Sequence, residues 1–594
     1  MVSRLRSLLA VILTVLSIFA MRLMYLQVVM ADELTRLSEE NVRYDVRLSP
    51  LRGRILARDG TVLADNRVAY DLMYWGGDIR HWDKLKFLLR LSELPAGPDY
   101  SDPEQIRFGA VAAYNVSDEV LLAVEELVAG QPNLYLHERV ERTYPTNLAA
   151  QTVGYTAEAK GRFEGYALSE LVGVNGIEAE FQEVLFGTPG QMDERRDNRS
   201  VVISQEVQRQ AVPGQDLVLT LDPDVQRMAE DALAGATEYI NLQREKRNLD
   251  FEDTARGALI AMNPQTGEIL AMASSPSFDQ NVFTRRPSNP EKVEQLLSDR
   301  TNLPMSNRAV ETYPPASTFK LISSSALLEG GFLSPSKQYF CASHITFGGI
   351  KWENWSYPGS RGTYDVRGAI ADSCNPFYWL AALDTPGARK AGWQPFIDAL
   401  FKRAREFGYG AKVGVELPEE KTGRVPSEAW ANANYEYGWL PGFTLNSVIG
   451  QGDVLATPIQ TAQLAAAIAM NGEFKQPHLV KRVGGRETEV PTKTISGRHW
   501  GTLQEGMRKM ITDYGTSWTL GPAINFPIDI AGKTGTAQNS KGTGYDHVWF
   551  TGYAPLDDPE IVVTVFVEEG DKSTGVAVPV ARDFFVDYFG LEDE

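Results

Sequence analysis

Cysteine and histidine are scarce in this chain of 594 residues, which has two cysteines and six histidines. Cys341 and Cys374 could form one bridge at most, so no disulfide framework holds the fold together, and burial as two free thiols is the favoured expectation. No serine lies in a Gly-x-Ser-x-Gly pentapeptide, which argues against a Ser-His-Asp hydrolase. No spacing of His, Cys, Asp and Glu is typical of a metal site, and the sequence predicts no metal and no cofactor.

Basic residues are also outnumbered, since 58 Lys and Arg stand against 77 Asp and Glu and give a formal net charge of -19. An acidic surface repels phosphate backbones, so the composition argues against a nucleic-acid partner. The content of 43% hydrophobic and 23% charged residues excludes a mainly disordered or fibrous protein. The chain is too long for one compact core, so two or more domains are expected.

The N-terminus departs from this composition. Arg4 and Arg6 precede a largely apolar run over residues 8–30, interrupted by Arg22. As a helix this run would be about 34 Å long, enough to cross a bilayer. A cleaved signal peptide is the alternative, but no small-x-small cleavage site follows Met21. The sequence therefore predicts a short cytoplasmic tail over residues 1–6, an uncleaved anchor over 7–30, and everything that follows outside the membrane.

The remaining chain divides by pattern into two parts. Residues 31–212 mix short strands and helices, carry no spacing typical of a catalytic group, and predict a non-catalytic pedestal with a head subdomain at about 67–140. In residues 213–594, apolar strand patterns occur early, at 257–262 and 268–273, and late, at 548–553 and 561–567, around a mainly helical middle. This order predicts a large α+β domain in which one sheet takes strands from both chain halves and is flanked by helices.

Three short motifs in the second part carry the chemistry. In the first, Ser317 and Lys320 are spaced as Ser-x-x-Lys directly after Pro314 and Pro315. The prolines forbid helix upstream, so Ser317 is expected at a helix N-terminus with the lysine one turn later. A serine becomes a nucleophile when a base takes its proton, and a lysine is that base only if its pKa is lowered. Alone, the motif is weak, because a capping serine with a solvated lysine has the same spacing.

The second motif is Ser373 and Asn375, spaced as Ser-x-Asn. A second hydroxyl can relay a proton between the lysine and a leaving group, and an amide can hold the lysine or a substrate carbonyl. The alternative is a purely structural role, in which the serine caps a helix and the asparagine lies in a turn ahead of Pro376.

The third motif is Lys533, Thr534, Gly535 and Thr536, on or beside a strand predicted at 528–530. Lysine and threonine on a strand edge can bind a substrate carboxylate, and a glycine lets the ligand lie close to the backbone. A phosphate loop is excluded because Pro527 stands where that loop needs glycine. A second Lys-Thr-Gly at 421–423 has no strand pattern before it and predicts a surface turn.

The ordered set Ser-x-x-Lys, Ser-x-Asn and Lys-Thr-Gly resembles the signature of penicillin-binding proteins and serine β-lactamases. The amino-acid sequence around the motifs is also similar to that of this family. The similar stretches are residues 307–320, 449–452, 457–460, 531–538 and 549–555, and upstream 52–55 and 173–178. Only about two hundred residues precede the predicted catalytic domain, and they carry no glycosyltransferase motif, so the likeness is to class B members. Within class B, residues 276–283 resemble the elongation group, penicillin-binding protein 2.

The resemblance implies roles for the motif residues in a peptidoglycan D,D-transpeptidase. Ser317 would attack the peptide carbonyl and become acylated, with Lys320 as general base. Ser373 and Asn375 would shuttle protons and orient the substrate. Lys533 and Thr534 would hold the terminal carboxylate of the substrate. The backbone N–H groups of Ser317 and Thr536 would form the oxyanion hole.

The resemblance also implies a location and partners. The protein would sit in the bacterial cytoplasmic membrane as a single-pass protein and act on peptidoglycan stem peptides. β-Lactams would be trapped at Ser317, and a multi-pass glycan polymerase of the RodA type would be its partner. The alternatives are a D,D-carboxypeptidase or β-lactamase-like hydrolase on the same residues, a division-type transpeptidase, and a non-catalytic activator of a polymerase.

Overall fold

A computed structural model of the protein describes residues 2–31, 33, 43–93, 97–99, 101, 105, 109–167, 170–196, 202–513 and 528–591. Met1 of the predicted tail lies outside these residues. The chain divides into two compact units. The first unit comprises Met1–Arg52, Val68–Val140 and Phe186–Gly214, and the second comprises Gly53–Arg67, Glu141–Leu185 and Gln215–Glu594.

The strands, in chain order, are β1 Arg43–Leu48, β2 Ile55–Leu56, β3 Val62–Tyr74, β4 Ala110–Ala113, β5 Leu134–Thr143, β6 Thr156–Glu158, β7 Leu171–Gly173, β8 Gly190–Arg196, β9 Val202–Arg209, β10 Leu217–Leu219, β11 Gly257–Met262, β12 Ile269–Ser275, β13 Tyr339–Phe340, β14 His344–Phe347, β15 Ile350–Glu353, β16 Thr363–Tyr364, β17 Glu473–Lys475, β18 Val480–Val483, β19 Arg486–Glu487, β20 Thr492–Thr494, β21 Ala531–Ala537, β22 His547–Ala554 and β23 Ile561–Val567.

The α-helices are α1 Val2–Met24, α2 Trp82–Leu89, α3 Asp118–Val128, α4 Ala150–Val153, α5 Gly176–Glu180, α6 Gln182–Phe186, α7 Pro223–Arg247, α8 Pro290–Ser298, α9 Lys320–Glu329, α10 Val366–Ala371, α11 Asn375–Leu383, α12 Pro395–Glu406, α13 Glu428–Asn434, α14 Pro441–Ser447, α15 Pro458–Ala469, α16 Trp500–Thr512 and α17 Ala577–Phe589.

In the first unit, α1 continues into a π-helical turn, Tyr25–Val29. The segment Leu5–Val29 is the one helix in the described part of the chain that is long and apolar enough to cross a membrane, by length and composition. The same unit contains an antiparallel sheet in the order β1-β8-β9. It also has a small core of its own, built around Leu72, Leu85, Val124 and Leu134.

The centre of the second unit is a five-stranded antiparallel sheet in the order β12-β11-β23-β22-β21. Its first two strands come from the early part of the domain and its other three from the end of the chain. All residues of β11 and β23 are buried, because helices cover both faces of the sheet: α7 and α17 pack on one face and α15 on the other. The predicted α+β domain, with one sheet drawn from both chain halves, is confirmed.

Local sequence explains where these covering helices begin. Asp222 accepts hydrogen bonds from the backbone N–H groups of Asp224 and Val225 at the start of α7. Thr457 and Gln460 form a reciprocal capping box at the start of α15. All twelve residues of α15 are buried, which fits a helix that is apolar or small around its whole circumference.

Two boundaries near the motifs differ from the sequence prediction. The strand predicted at 528–530 begins at Ala531, because pairing with β22 starts at Ala531 opposite Tyr553. The turn that contains Ser317 is a 3-10 helix, Ala316–Phe319, and the α-helix begins only at Lys320. Both boundaries move by only a few residues. The first shift nevertheless places the whole third motif inside β21, which is an edge strand of the sheet.

Candidate active site

Ser317 lies on a rigid turn at the start of α9. Ala316 adopts a positive φ of 50°, and its N–H donates to Gly450 O at 2.9 Å. A side chain on residue 450 would place its Cβ 2.0 Å from Ala316 O, so only glycine permits this approach. Thr318 Oγ1 donates to Pro315 O at 2.6 Å. Ser317 is partly exposed while both its neighbours are buried, so solvent can reach part of this residue.

Lys320 points from the first residue of α9 into the protein and is fully buried. Its Nζ donates to Ser373 O at 2.7 Å and to Asn375 Oδ1 at 2.6 Å, and lies 3.2 Å from Ser373 Oγ. Burial, reinforced by the nearby charge of Lys533, lowers the pKa of Lys320 well below its ordinary value. A lowered pKa makes the neutral form of the amine, which has a lone pair to accept a proton, easier to reach than in an ordinary lysine.

Ser373 and Asn375 reach Lys320 because the chain turns sharply between two helices. Ser373 has a positive φ of 55°, which is uncommon outside glycine, and Asn375 begins α11 with Pro376 next to it. The side chain of Cys374, between the two, accepts the N–H of Phe377 as the cap of α11. The turn thus aims both polar groups at one amine.

Lys533 enters the same cluster from β21. It is fully buried, and its Nζ donates to Ser373 Oγ at 3.1 Å and to Thr534 O at 2.8 Å. Burial lowers the pKa of Lys533 from 10.5 to about 7. The hydroxyl of Ser373 therefore lies between two amines, which are 3.2 Å and 3.1 Å away.

The rest of the third motif follows along β21. Thr534 is partly exposed and Thr536 exposed, and a Cβ on Gly535 would lie 3.2 Å from both Pro315 O and Thr318 Cγ2. The absence of a side chain at position 535 lets the strand lie against the turn that holds Ser317. Because β21 is an edge strand, its outer backbone groups can pair with an extended peptide.

The structure therefore brings the sequence-predicted residues together at one place. Lys320, Ser373, Asn375 and Lys533 are joined by hydrogen bonds, and β21 runs beside the turn of Ser317. Within the described residues the Ser317 hydroxyl makes no hydrogen bond of its own. A hydroxyl without a substrate is often unengaged in this way, and the contact with its base forms when the substrate binds.

Sequence reasoning favoured free thiols for the two cysteines, and this was wrong. Cys341 and Cys374 form a disulfide with Cα atoms 6.1 Å apart. The bridge links the middle residue of the second motif to a segment 33 positions earlier. Such a pair cannot be recognised from spacing, because bridging depends on the distance and direction of the two Cβ atoms in the fold.

Two further side chains contact the site and were missed. Asp372, directly before Ser373, pairs with Arg361 at 2.7 Å. Ser573 bonds through its Oγ to Gly535 O and lies 2.8 Å from Thr536 Oγ1. Adjacency to the second motif could have drawn attention to Asp372, whereas nothing in the sequence around Ser573 marks it. Among the described residues no group of three or more His, Cys, Asp or Glu could hold a metal ion.

Comparison with known proteins identifies the family. Residues 257–585 match the penicillin binding protein transpeptidase domain, and residues 47–219 match the penicillin-binding protein dimerisation domain. The peptidoglycan D,D-transpeptidase MrdA of Acinetobacter baumannii is 30% identical over 97% of this chain and 86% of its own length. The protein of the same name from Escherichia coli K12 is 28% identical over 98% of this chain and 93% of its own.

Solved structures agree with this assignment. A chain of a peptidoglycan synthase complex, described as coordinating polymerization and crosslinking, has 39% identity and a TM-score of 0.81 and covers 100% of this chain and 99% of its own. Penicillin-binding protein 2 of Pseudomonas aeruginosa has 28% identity and a TM-score of 0.66, covering 92% of this chain and 96% of its own. The chain belongs to the class B penicillin-binding proteins, in the group of penicillin-binding protein 2, the MrdA peptidoglycan D,D-transpeptidases.

Proposed function

We propose that this protein cross-links peptidoglycan stem peptides during cell-wall elongation as a serine-type D,D-transpeptidase with Ser317 as its nucleophile. The observation that supports this most strongly is the buried amine of Lys320, whose pKa burial lowers, which follows Ser317 by one turn and is held by the Ser373 carbonyl and the Asn375 side chain. A lowered pKa is what a lysine needs to act as the base for a serine nucleophile.

In the acylation step, the Ser317 hydroxyl transfers its proton to Lys320 while its Oγ forms a bond to the carbonyl carbon of the penultimate D-alanine. The carbonyl oxygen becomes an oxyanion, which the backbone N–H groups of Ser317 and Thr536 would stabilise, each such donor contributing about 3 kcal/mol to lowering the barrier. The peptide C–N bond then breaks, and the proton passes from Lys320 through the Ser373 hydroxyl to the leaving nitrogen.

The acyl-enzyme is resolved by a second stem peptide. Its amine attacks the ester carbonyl and passes a proton through the Ser373 hydroxyl to Lys320. The Ser317–acyl bond breaks as the new amide forms, and Lys320 returns the proton to the Ser317 oxygen. Lys533 and Thr534 hold the terminal carboxylate during acylation, since a partly protonated amine near a strand edge is a site for a carboxylate. Gly535 keeps the backbone of β21 open to the substrate.

Labelling with a fluorescent penicillin tests these assignments. We expect stable label on Ser317, located by peptide mass spectrometry, no label in Ser317→Ala, and at least a hundredfold slower labelling in Lys320→Ala. Lys533→Ala should label much more slowly, whereas Lys421→Ala, in the exposed second Lys-Thr-Gly, is the matched control and should label as the unmodified protein does.

The same assay separates the alternatives. Rapid loss of the label with release of opened penicillin would indicate a hydrolase. Absence of label in protein that is shown to be folded would indicate a non-catalytic activator. Label that persists in Ser317→Ala would refute the assignment of the nucleophile.

We further propose that the helix Leu5–Val29 is a single membrane span with the N-terminus in the cytoplasm, so that residues 213–594 act outside the cytoplasmic membrane. Residues 31–212 would serve as a non-catalytic pedestal, and a RodA-type glycan polymerase would be the partner. Support comes from the length and composition of the helix and from the likeness to a chain of a peptidoglycan synthase complex. Co-purification of the full-length chain with the polymerase of the same organism tests the partnership, and failure to co-purify would contradict it.

A further inference from the structure

Asp372 is a buried carboxylate at the back of the active site that belongs to none of the three motifs. It caps the C-terminus of helix α10 and directly precedes Ser373, and only 4% of it is exposed. Its Oδ1 accepts hydrogen bonds from Arg361 Nε at 3.0 Å and Nη2 at 2.7 Å. Its Oδ2 is buried and has no hydrogen-bond partner among the described residues. A carboxylate bonded on one oxygen only still projects negative charge into its surroundings.

Arg361 is fixed from several sides, so the position of Asp372 is fixed with it. The Arg361 guanidinium lies 5.2 Å from the centre of the Trp355 ring, and the Trp355 indole N–H donates to Asp372 O at 3.1 Å. The Arg361 backbone N–H donates to Cys341 O at 2.8 Å, and Cys341 is bonded through its sulfur to Cys374. The disulfide therefore ties the segment that carries Arg361 to the turn that carries the second motif.

The charged and titratable groups that face Asp372 and the two amines are few. Arg361, Lys320 and Lys533 act on Asp372, and the ring of Tyr378 lies 5.5 Å from Lys320 Nζ. Asp372 is the one carboxylate in the described part of the chain whose charge raises the pKa of both lysines. Burial raises the pKa of Asp372 itself, and the guanidinium of Arg361 opposes that rise and favours the ionised form.

Two amines that share one hydroxyl in a buried site pose an electrostatic problem. If both were protonated they would repel each other, and if both were neutral nothing in the cluster would attract a substrate carboxylate. Transpeptidation needs Lys320 neutral as base and Lys533 protonated as a carboxylate binder. A single fixed negative charge beside the pair stabilises the state in which the two amines carry one proton between them.

We propose that Asp372, held in place by Arg361, is a positioning residue of this reaction whose carboxylate allows Lys533 to keep a proton while Lys320 remains the neutral base. The proposal rests on the proposed function of the three motifs and adds a fourth side chain to their electrostatics. The simpler alternative is that the pair of Asp372 and Arg361 only fixes the turn before Ser373. The two differ in what happens to the pH dependence of acylation.

The test is the second-order rate constant of acylation by a fluorescent penicillin, measured from pH 5 to pH 10 on full-length protein in detergent. In Asp372→Asn the lysines lose their negative neighbour, so both limbs of the pH profile should move to lower pH by on the order of one unit. With Lys533 titrating near pH 7, such a shift lowers the rate at pH 8 about tenfold. Asp372→Glu, which keeps the charge, should leave the limbs near their original pH.

The matched control is Asp365→Asn at the other end of helix α10, where the carboxylate accepts the N–H of Gly368 at 3.0 Å. Asparagine can keep this cap, and the pH limbs should not move. If Asp372→Asn does not fold, the double variant Arg361→Gln with Asp372→Asn removes the pair without leaving the guanidinium of Arg361 unpaired. It should show the same shift, because the charge of Asp372, and not that of Arg361, acts on the lysines.

A rate that falls equally at all pH values, with limbs that stay in place, would overturn the proposal and leave Asp372 as a structural residue. That outcome would leave the proposed function intact, provided that Ser317→Ala is still unlabelled. Labelling of Ser317→Ala would overturn the proposed function itself, so the two failures are distinguishable.

Discussion

Replacing Lys533 with methionine should stabilise the catalytic unit while it abolishes acylation. Lys533 is fully buried and its pKa falls from 10.5 to about 7. At about 1.4 kcal/mol for each pKa unit, the buried charge costs the folded state about 5 kcal/mol at pH 6 and below. Methionine fills similar space but loses two hydrogen bonds, to Ser373 Oγ and Thr534 O, worth about 1 kcal/mol each. The net gain is then about 3 kcal/mol.

The sign of the pH dependence makes this prediction specific. Below pH 7 the lysine is protonated in both folded and unfolded chains, so the whole cost is present. As the pH rises from about 7 to 10.5, the folded chain loses the proton first and the cost disappears. Lys533→Met should therefore melt roughly 6 °C higher than the unmodified protein at pH 6, and slightly lower at pH 10, where the loss of the hydrogen bonds outweighs the remaining charge cost.

The assay is thermal unfolding of the detergent-solubilised protein at several pH values, followed by tryptophan fluorescence. Lys421→Met, in the exposed second Lys-Thr-Gly, is the matched control and should change Tm by less than about 1 °C at any pH. A difference between Lys533→Met and the unmodified protein that is the same at pH 6 and pH 10 would refute the reasoning, because it would mean that the Lys533 amine is not buried as a charge.

Three other substitutions follow from the structure. Ser573→Ala removes a hydroxyl that bonds two atoms of β21, and we expect acylation by penicillin to slow about tenfold through weaker binding while stability falls by only about 1 kcal/mol; an unchanged rate constant would contradict this. Cys341→Ser with Cys374→Ser removes the bridge and should cost about 2–4 kcal/mol in thermal unfolding and slow acylation; dithiothreitol should reproduce both effects in the unmodified protein and neither in the variant. Arg142→Met leaves the carboxylate of Glu178 buried without the guanidinium 2.7 Å away and should cost about 3–5 kcal/mol of unfolding free energy, more than the double variant Arg142→Met with Glu178→Gln; equal losses in denaturant unfolding would show that the pair is not coupled.

The main sheet could be predicted from the sequence because its strands carry their own signal. Strands β11 and β23 are short runs bounded by turn residues and apolar except for Thr564, a pattern that fits strands covered on both faces. These two strands lie at opposite ends of the second part of the chain, with helices between them. This order predicted one sheet that takes strands from both halves of the domain. The predicted boundaries near the third motif were less accurate. Pairing with β22, and not the apolar pattern of β21 itself, makes Ala531 the first residue of β21.

The motif residues could be predicted, but the state of their side chains could not. The lowered pKa of Lys320 depends on full burial and on Lys533, which is more than two hundred positions away in sequence. The contact of Ser373 with both amines depends on a backbone conformation that serine rarely adopts. Asp372 was overlooked because a carboxylate next to a turn is common on protein surfaces, and only the tertiary packing shows that this one is buried.

The proposed active site also differs from the rest of the chain in its local conformation and burial. Two lysines are fully buried, and two non-glycine residues, Ala316 and Ser373, adopt positive φ angles within a few residues of them. Each departure costs free energy, and sequences retain such departures chiefly where function requires them. The second Lys-Thr-Gly, at 421–423, shows none of these departures: its lysine and threonine are exposed, and its only positive φ belongs to glycine. The contrast between two identical tripeptides in one chain therefore points to the buried copy as the catalytic one, on physical grounds that do not depend on family resemblance.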